Sequence, residues 1–127
     1  RVIDFPPYGR LLRLEPLGDG GFTMPFHEDV VGRPGYLHGG ALAGLLEFAA
    51  FETLRLALGE DQVTMKPVTV TIDYLRGAGA SRGETHAAAV IERLGKRIAN
   101  VDATAWQTDR SRPVAKARIT FLLERAQ

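Results

Sequence analysis

The spacing of apolar and polar positions changes several times along the chain, and each change marks an element. Residues 11–16 and 21–25 are short apolar-rich pieces that predict two strands. Between them, Gly18-Asp19-Gly20-Gly21 offers glycines able to take the positive φ of a hairpin turn. Residues 39–58 are rich in Ala and Leu, lack Pro and stop before Gly59, which predicts a helix of about five turns. Its first half, Ala41-Leu42-Ala43-Gly44-Leu45-Leu46, has no polar face and is expected to be enclosed by protein on nearly every side. Glu52, Arg55 and Glu60 predict that the far end surfaces.

Beyond the helix, Val68, Val70, Ile72 and Tyr74 alternate with Thr69, Thr71 and Asp73 at the period of a half-buried strand. Residues 84–94 and 97–107 flank a short Gly95-Lys96 turn, and residues 114–123 alternate Ala115, Ala117, Ile119, Phe121 and Leu123 with mostly polar partners. One helix between early strands and a run of late ones is an α+β pattern. The four late strands are expected to form a meander whose apolar face wraps the helix, with residues 1–127 as one domain.

Composition narrows the chemistry. The 127 residues suffice to bury about two-thirds of the unfolded surface without a disulfide or metal staple. With no cysteine, thiolate zinc sites and a cysteine nucleophile are excluded. Sixteen Lys and Arg against fifteen Asp and Glu provide no basic field, which argues against nucleic acid. The most apolar stretch, residues 41–51, is short and broken by Glu47, so no membrane span is expected. Residues 1–10 lack the apolar core of a signal peptide, and the expected location is the cytoplasm.

Two features could carry chemistry. Gly35-Tyr36-Leu37-His38-Gly39-Gly40 runs into the helix, leaving Gly39 and Gly40 in its first turn, where N–H groups lack helical partners and the dipole favours negative charge. A plain flexible turn is the alternative reading. Glu47 is the second feature, because a carboxylate in an apolar helix costs several kcal/mol unless paired, hydrogen-bonded or protonated. An ion pair across a subunit interface is the structural alternative to catalysis. Eight residues at about 1.5 Å rise separate Gly39 from Glu47 by about 12 Å. One carbonyl cannot touch both, so a shared reaction needs two antiparallel helices from two chains and an isologous dimer.

His38-Gly39-Gly40 with an acid nine positions after the His resembles the hotdog-fold acyl-CoA thioesterases of the PaaI type, within the 4-hydroxybenzoyl-CoA thioesterase superfamily. Gly35, the Ala-rich helix, residues 68–78 in place of the family's "FLRxA" segment and Arg93-Leu94-Gly95-Lys96-Arg97 extend the likeness over nearly the whole chain. The resemblance implies a hotdog fold, in which an antiparallel sheet of five or six strands wraps one long helix. It also implies thioester hydrolysis of acyl- or aryl-CoA, with the Gly39 amide on the carbonyl and Glu47 as nucleophile or general base. His38 is expected to position the loop, beside Gly40, rather than transfer protons. No metal or redox cofactor is implied, and coenzyme A enters as part of the substrate. Homodimers, paired into homotetramers, follow from the same likeness.

Phe51 and Tyr74 are expected to line the acyl pocket, and Arg76, Arg82, Lys96 and Arg97 are candidates for the coenzyme's phosphates. His27 and His86 have no such context. The chain departs from the pattern at Gly32, where many members carry Asn or Gln, and at Phe51, where some carry Ser or Thr. Those departures keep a non-catalytic acyl-CoA or acyl-carrier binding module as the rival reading. A hotdog hydratase or dehydratase is a weaker rival, lacking its His-Phe-Pro type segment.

Overall fold

Pro7 opens a helix that takes in Leu11 and Leu12, the first two residues of the strand predicted over 11–16. In the computed structural model, which describes residues 3–59 and 62–125, residues 7–12 form α1 (Pro7–Leu12). Proline suits a first turn, where a missing N–H costs nothing. Leu12 is almost wholly buried, and Arg13 ends the helix in a left-handed conformation at φ 59°. Of the expected strand only β1 (Glu15–Pro16) remains. The glycine turn behaves as read: Gly18 and Gly20 take φ of 91° and 99°, and β1 pairs with β2 (Phe22–Met24).

A 3-10 turn at Glu28–Val30 leads to the long helix α2 (Gly39–Leu58), with the bounds its sequence predicts. Gly59 closes it at a positive φ of 66°. Leu42, Leu45, Leu46, Ala49, Ala50 and Leu54 are buried along its length. The expectation that Glu52 surfaces is corrected, since it is only 8% exposed and both its oxygens accept hydrogen bonds from Arg55, at 2.6 and 2.9 Å. One turn of helix lets the guanidinium compensate a carboxylate facing inward. Glu60 lies outside the described residues.

After α2 come β3 (Val63–Tyr74), a 3-10 turn at Ala80–Arg82, β4 (Thr85–Leu94), β5 (Ile98–Trp106) and β6 (Ala115–Arg125). All pairings are antiparallel in a six-stranded sheet of order β1-β2-β4-β5-β6-β3. The expected four-strand meander is corrected: β4, β5 and β6 follow one another, but β3 crosses to the far side of β6 and becomes an edge. Inward residues of β5 and β6, including Val101, Ala103, Ile119 and Phe121, close over α2. The sheet therefore wraps the helix.

The alternation in β3 does not translate into burial. Val68, Val70 and Tyr74 are 51%, 44% and 55% exposed, and only Ile72 of that set packs against the core. An edge strand has one neighbour, and here a register break between Pro67 and Thr69 further interrupts its pairing with β6.

Candidate active site

The first turn of α2 is built by His38. As N-cap, its Nδ1 accepts a hydrogen bond from the Gly40 N–H at 2.8 Å, while its carbonyl accepts from Ala41 and Leu42. Nδ1 thus acts as an acceptor that caps the helix. Among the described residues, no acceptor meets the Gly39 N–H. That amide stands free at the positive end of a twenty-residue helix. Tyr74 Oη donates to the Gly39 carbonyl at 2.9 Å, and Tyr8 Oη donates to the Gly40 carbonyl at 3.0 Å. Two phenols from distant elements therefore pin the glycines.

Gly32 also belongs to this corner. A Cβ there would stand 2.9 Å from the His38 Cα, so the loop passes His38 at a distance only glycine allows. Gly35 takes φ of 83°, and the loop it turns is tied to the 77–80 segment through Leu37 N–H to the Ala78 carbonyl and Ala80 N–H to the Gly35 carbonyl.

Glu47 is half-buried, and among the described residues it has neither a hydrogen bond nor an ion pair. Its neighbour in charge is Tyr8, whose phenol is pushed up from 10.0, chiefly by burial, then by the Glu47 carboxylate and the Tyr74 phenol. The Tyr8 ring rests in a notch at Gly44, where a Cβ would come within 2.6 Å of it. Nothing local in the sequence marks Tyr8, since it reaches the site through a contact 32 residues away. Phe51 lies about one turn beyond Glu47, partly exposed, with its ring 6.4 Å from that of Phe121.

The four basic candidates fall into two places. Arg76 and Arg82 line one cavity of about 570 Å³ together with Arg33 and Arg112, neither of which the sequence singled out. A smaller cavity of about 360 Å³ runs from Arg33, Tyr36 and Arg76 to Gly39 and Tyr74, so the arginines adjoin the helix tip. Lys96 and Arg97 instead lie in the β4–β5 turn, beside Leu122 and Arg125, at the other end of those strands. His27 caps the 3-10 turn at Glu28–Val30, and the His86 Nδ1 meets Thr23 Oγ1 at 2.8 Å on the sheet. Among the described residues, no three His, Asp or Glu side chains converge as a metal site would need.

The family model of the thioesterase superfamily matches residues 34–114, from the loop before His38 to the residue preceding β6. The chain belongs to the thioesterase superfamily. Membership places it among thioester hydrolases, and its sheet around one helix is the hotdog fold. Solved structures agree in shape. AziG of S. sahachiroi superposes with a TM-score of 0.86 at 21% identity, over 95% of this chain and 98% of that one. The BH2602 protein of Bacillus halodurans, solved with CoA, gives 0.81 at 22%, over 91% and 74%. Thioesterase HI1161 of Haemophilus influenzae gives 0.80 at 21%, over 92% and 82%. At these identities the likeness is one of fold. No curated protein sequence matches the chain. No helix among the described residues of this superfamily member is long and apolar enough to cross a membrane.

Proposed function

We propose that the protein hydrolyses the thioester of an acyl- or aryl-CoA to the free acid and CoA, at a site shared by two subunits. The observation that carries this reading is the unpartnered Gly39 N–H at the start of α2, flanked by a Gly40 N–H that His38 already occupies. Attack on a thioester moves charge onto the carbonyl oxygen, and a preorganised amide at a helix terminus stabilises that charge. Glu47, without a partner among the described residues of its own chain, supplies the other half. It either attacks the carbonyl carbon to give a mixed anhydride that water then cleaves, or takes the proton of an attacking water; in both cases the CoA thiolate departs.

Gly39 and Glu47 of one helix are about 12 Å apart, so each acyl group uses the Gly39 of one subunit and the Glu47 of the other. The exposed edge strand β3, with Val68, Val70 and Tyr74 uncovered, is the face by which two copies join, and further pairing gives a tetramer. The CoA in the BH2602 structure supports the substrate class. The rival, a non-catalytic acyl-CoA or acyl-carrier module, draws on Gly32 and Phe51, which leave no polar side chain where many relatives have one.

The decisive experiment uses two inactive variants. Gly39→Pro deletes the N–H at a first helical position that tolerates proline, after a His38 already extended at φ −67° and ψ 138°. Glu47→Gln removes the carboxylate. Each alone is expected to lower thiol release from a panel of acyl-CoAs by about a hundredfold or more. Heterodimers of the two contain one intact pair and should recover activity. An active Glu47→Gln protein refutes the catalytic reading, and heterodimers as inactive as their parents refute the shared site.

A further inference from the structure

Tyr8 is held more firmly than a surface aromatic requires. Its ring sits in the Gly44 notch, where a Cβ would come within 2.6 Å of it, and its Oη donates to the Gly40 carbonyl at 3.0 Å. Gly40, Gly44 and Glu47 follow one another at four and three residues, so they share one face of α2. Side chains on a helix lean toward its N-terminus, which turns the Glu47 carboxylate back toward the turn that the phenol covers. Burial first, and the nearby Glu47 carboxylate second, raise the pKa of Tyr8 above the ordinary 10.0, so Oη keeps its proton.

That single proton is taken by the Gly40 carbonyl, which leaves Oη with lone pairs alone. An ionised carboxylate is likewise only an acceptor. Tyr8 remains 44% exposed, and among the described residues Glu47 has neither a hydrogen bond nor an ion pair. The two groups cannot bond each other, whereas a small molecule that donates twice satisfies both, as water does. Gly32 and Phe51 carry no polar side-chain atom that could take over this duty.

We propose that Tyr8 Oη and the Glu47 carboxylate together hold the attacking water, which makes Tyr8 a water-positioning residue and Glu47 the general base. The water oxygen bonds to the thioester carbon while one of its protons passes to Glu47 and the other stays on the new hydroxyl, directed at Tyr8 Oη. Collapse of the tetrahedral oxyanion breaks the C–S bond, and the thiolate recovers the proton from Glu47. This role rests on the thioesterase reading above. Tyr8 lies outside residues 34–114, the span matched by the family model, so family membership does not supply it.

Tyr8→Phe tests the role, because it keeps the ring in the Gly44 notch and removes only the oxygen. For an acyl-CoA that the parent cleaves, kcat should fall roughly tenfold, the loss of one hydrogen bond to the reacting water, at unchanged KM. Adding hydroxylamine separates water holding from support of the helix tip, since this neutral nucleophile attacks without first losing a proton. The ratio of hydroxamate to free acid should rise roughly tenfold in Tyr8→Phe. A residue that only braced Gly40 would slow both products together, so an unchanged ratio overturns the proposal. In rapid mixing, thiol release by Tyr8→Phe should be linear from the first turnover. A burst of one thiol per site ahead of the acid would show a mixed anhydride on Glu47 and overturn the general-base assignment. A parent that releases thiol from no acyl-CoA refutes the thioesterase reading and this role with it, whereas an active parent whose Tyr8→Phe variant matches it in rate refutes this role alone.

Discussion

Gly32 and His38 touch backbone to backbone: a Cβ on residue 32 would stand 2.9 Å from the His38 Cα. The absence of a polar side chain at this position is therefore a requirement of the loop. Gly32→Asn, which reinstates the amide of the resembling family, is expected to lower activity by displacing His38. Loss of the cap should also cost about 1 kcal/mol of stability. Urea unfolding and thiol release measure both, and a Gly32→Asn protein that is faster than the parent at equal stability contradicts the steric argument.

His38 caps α2 through an acceptor nitrogen, so its replacement separates positioning from proton transfer. His38→Ala should lose about 1 kcal/mol and a large part of kcat, while His38→Asn, a good N-cap, should regain both. A stable His38→Asn protein with the rate of the Ala variant, and a pH–rate profile missing a limb, would assign the ring a proton instead.

Exposed valines on the edge strand β3 make assembly testable. Val68→Lys with Val70→Lys places charge on the β3 edge without touching the core, as both side chains are about half exposed. Sedimentation should show monomers with unchanged circular dichroism and thiol release near background. A fully active monomer would disprove the shared site.

Tyr8 predicts an alkaline limit. Its proton is held more tightly in the folded chain than at the ordinary value of 10.0, because burial and then Glu47 oppose the phenolate. The native state thus binds more protons than the unfolded one as pH rises past about 10, and stability falls there with increasing pH. Tyr8→Phe should flatten that part of the stability curve. An unchanged curve would show that Tyr8 ionises as freely as in the unfolded chain.

The parts of the candidate site that the sequence offers share one property: they lie on a single element. Gly39, Gly40 and Glu47 are carried by α2, whose Ala-Leu run and closing Gly59 define it without tertiary help. Residues brought in by long-range contacts were silent. Tyr8 meets Gly40 across 32 positions, and Arg33 and Arg112 join Arg76 and Arg82 from other loops. The period of β3 told which side chains share a face but not what covers that face, so the exposed Val68 and Val70 could be found only in three dimensions. In α1, six residues were too few for period to outweigh the paired prolines at its start.

The position of β6 has a consequence for synthesis. This strand lies between β5 and β3 and is, among the described residues of the chain, the only strand that pairs with β3, with rungs from Tyr74–Ala115 to Val63–Arg125. Its residues are translated after those of every other strand, so a ribosome-bound chain must carry β3 unzipped, and one side of α2 open, until residue 125 has emerged. Contacts of such long sequence separation form slowly and leave sticky edges in the interval. Nascent chains stalled before residue 115 should thus aggregate more readily than chains released after residue 125.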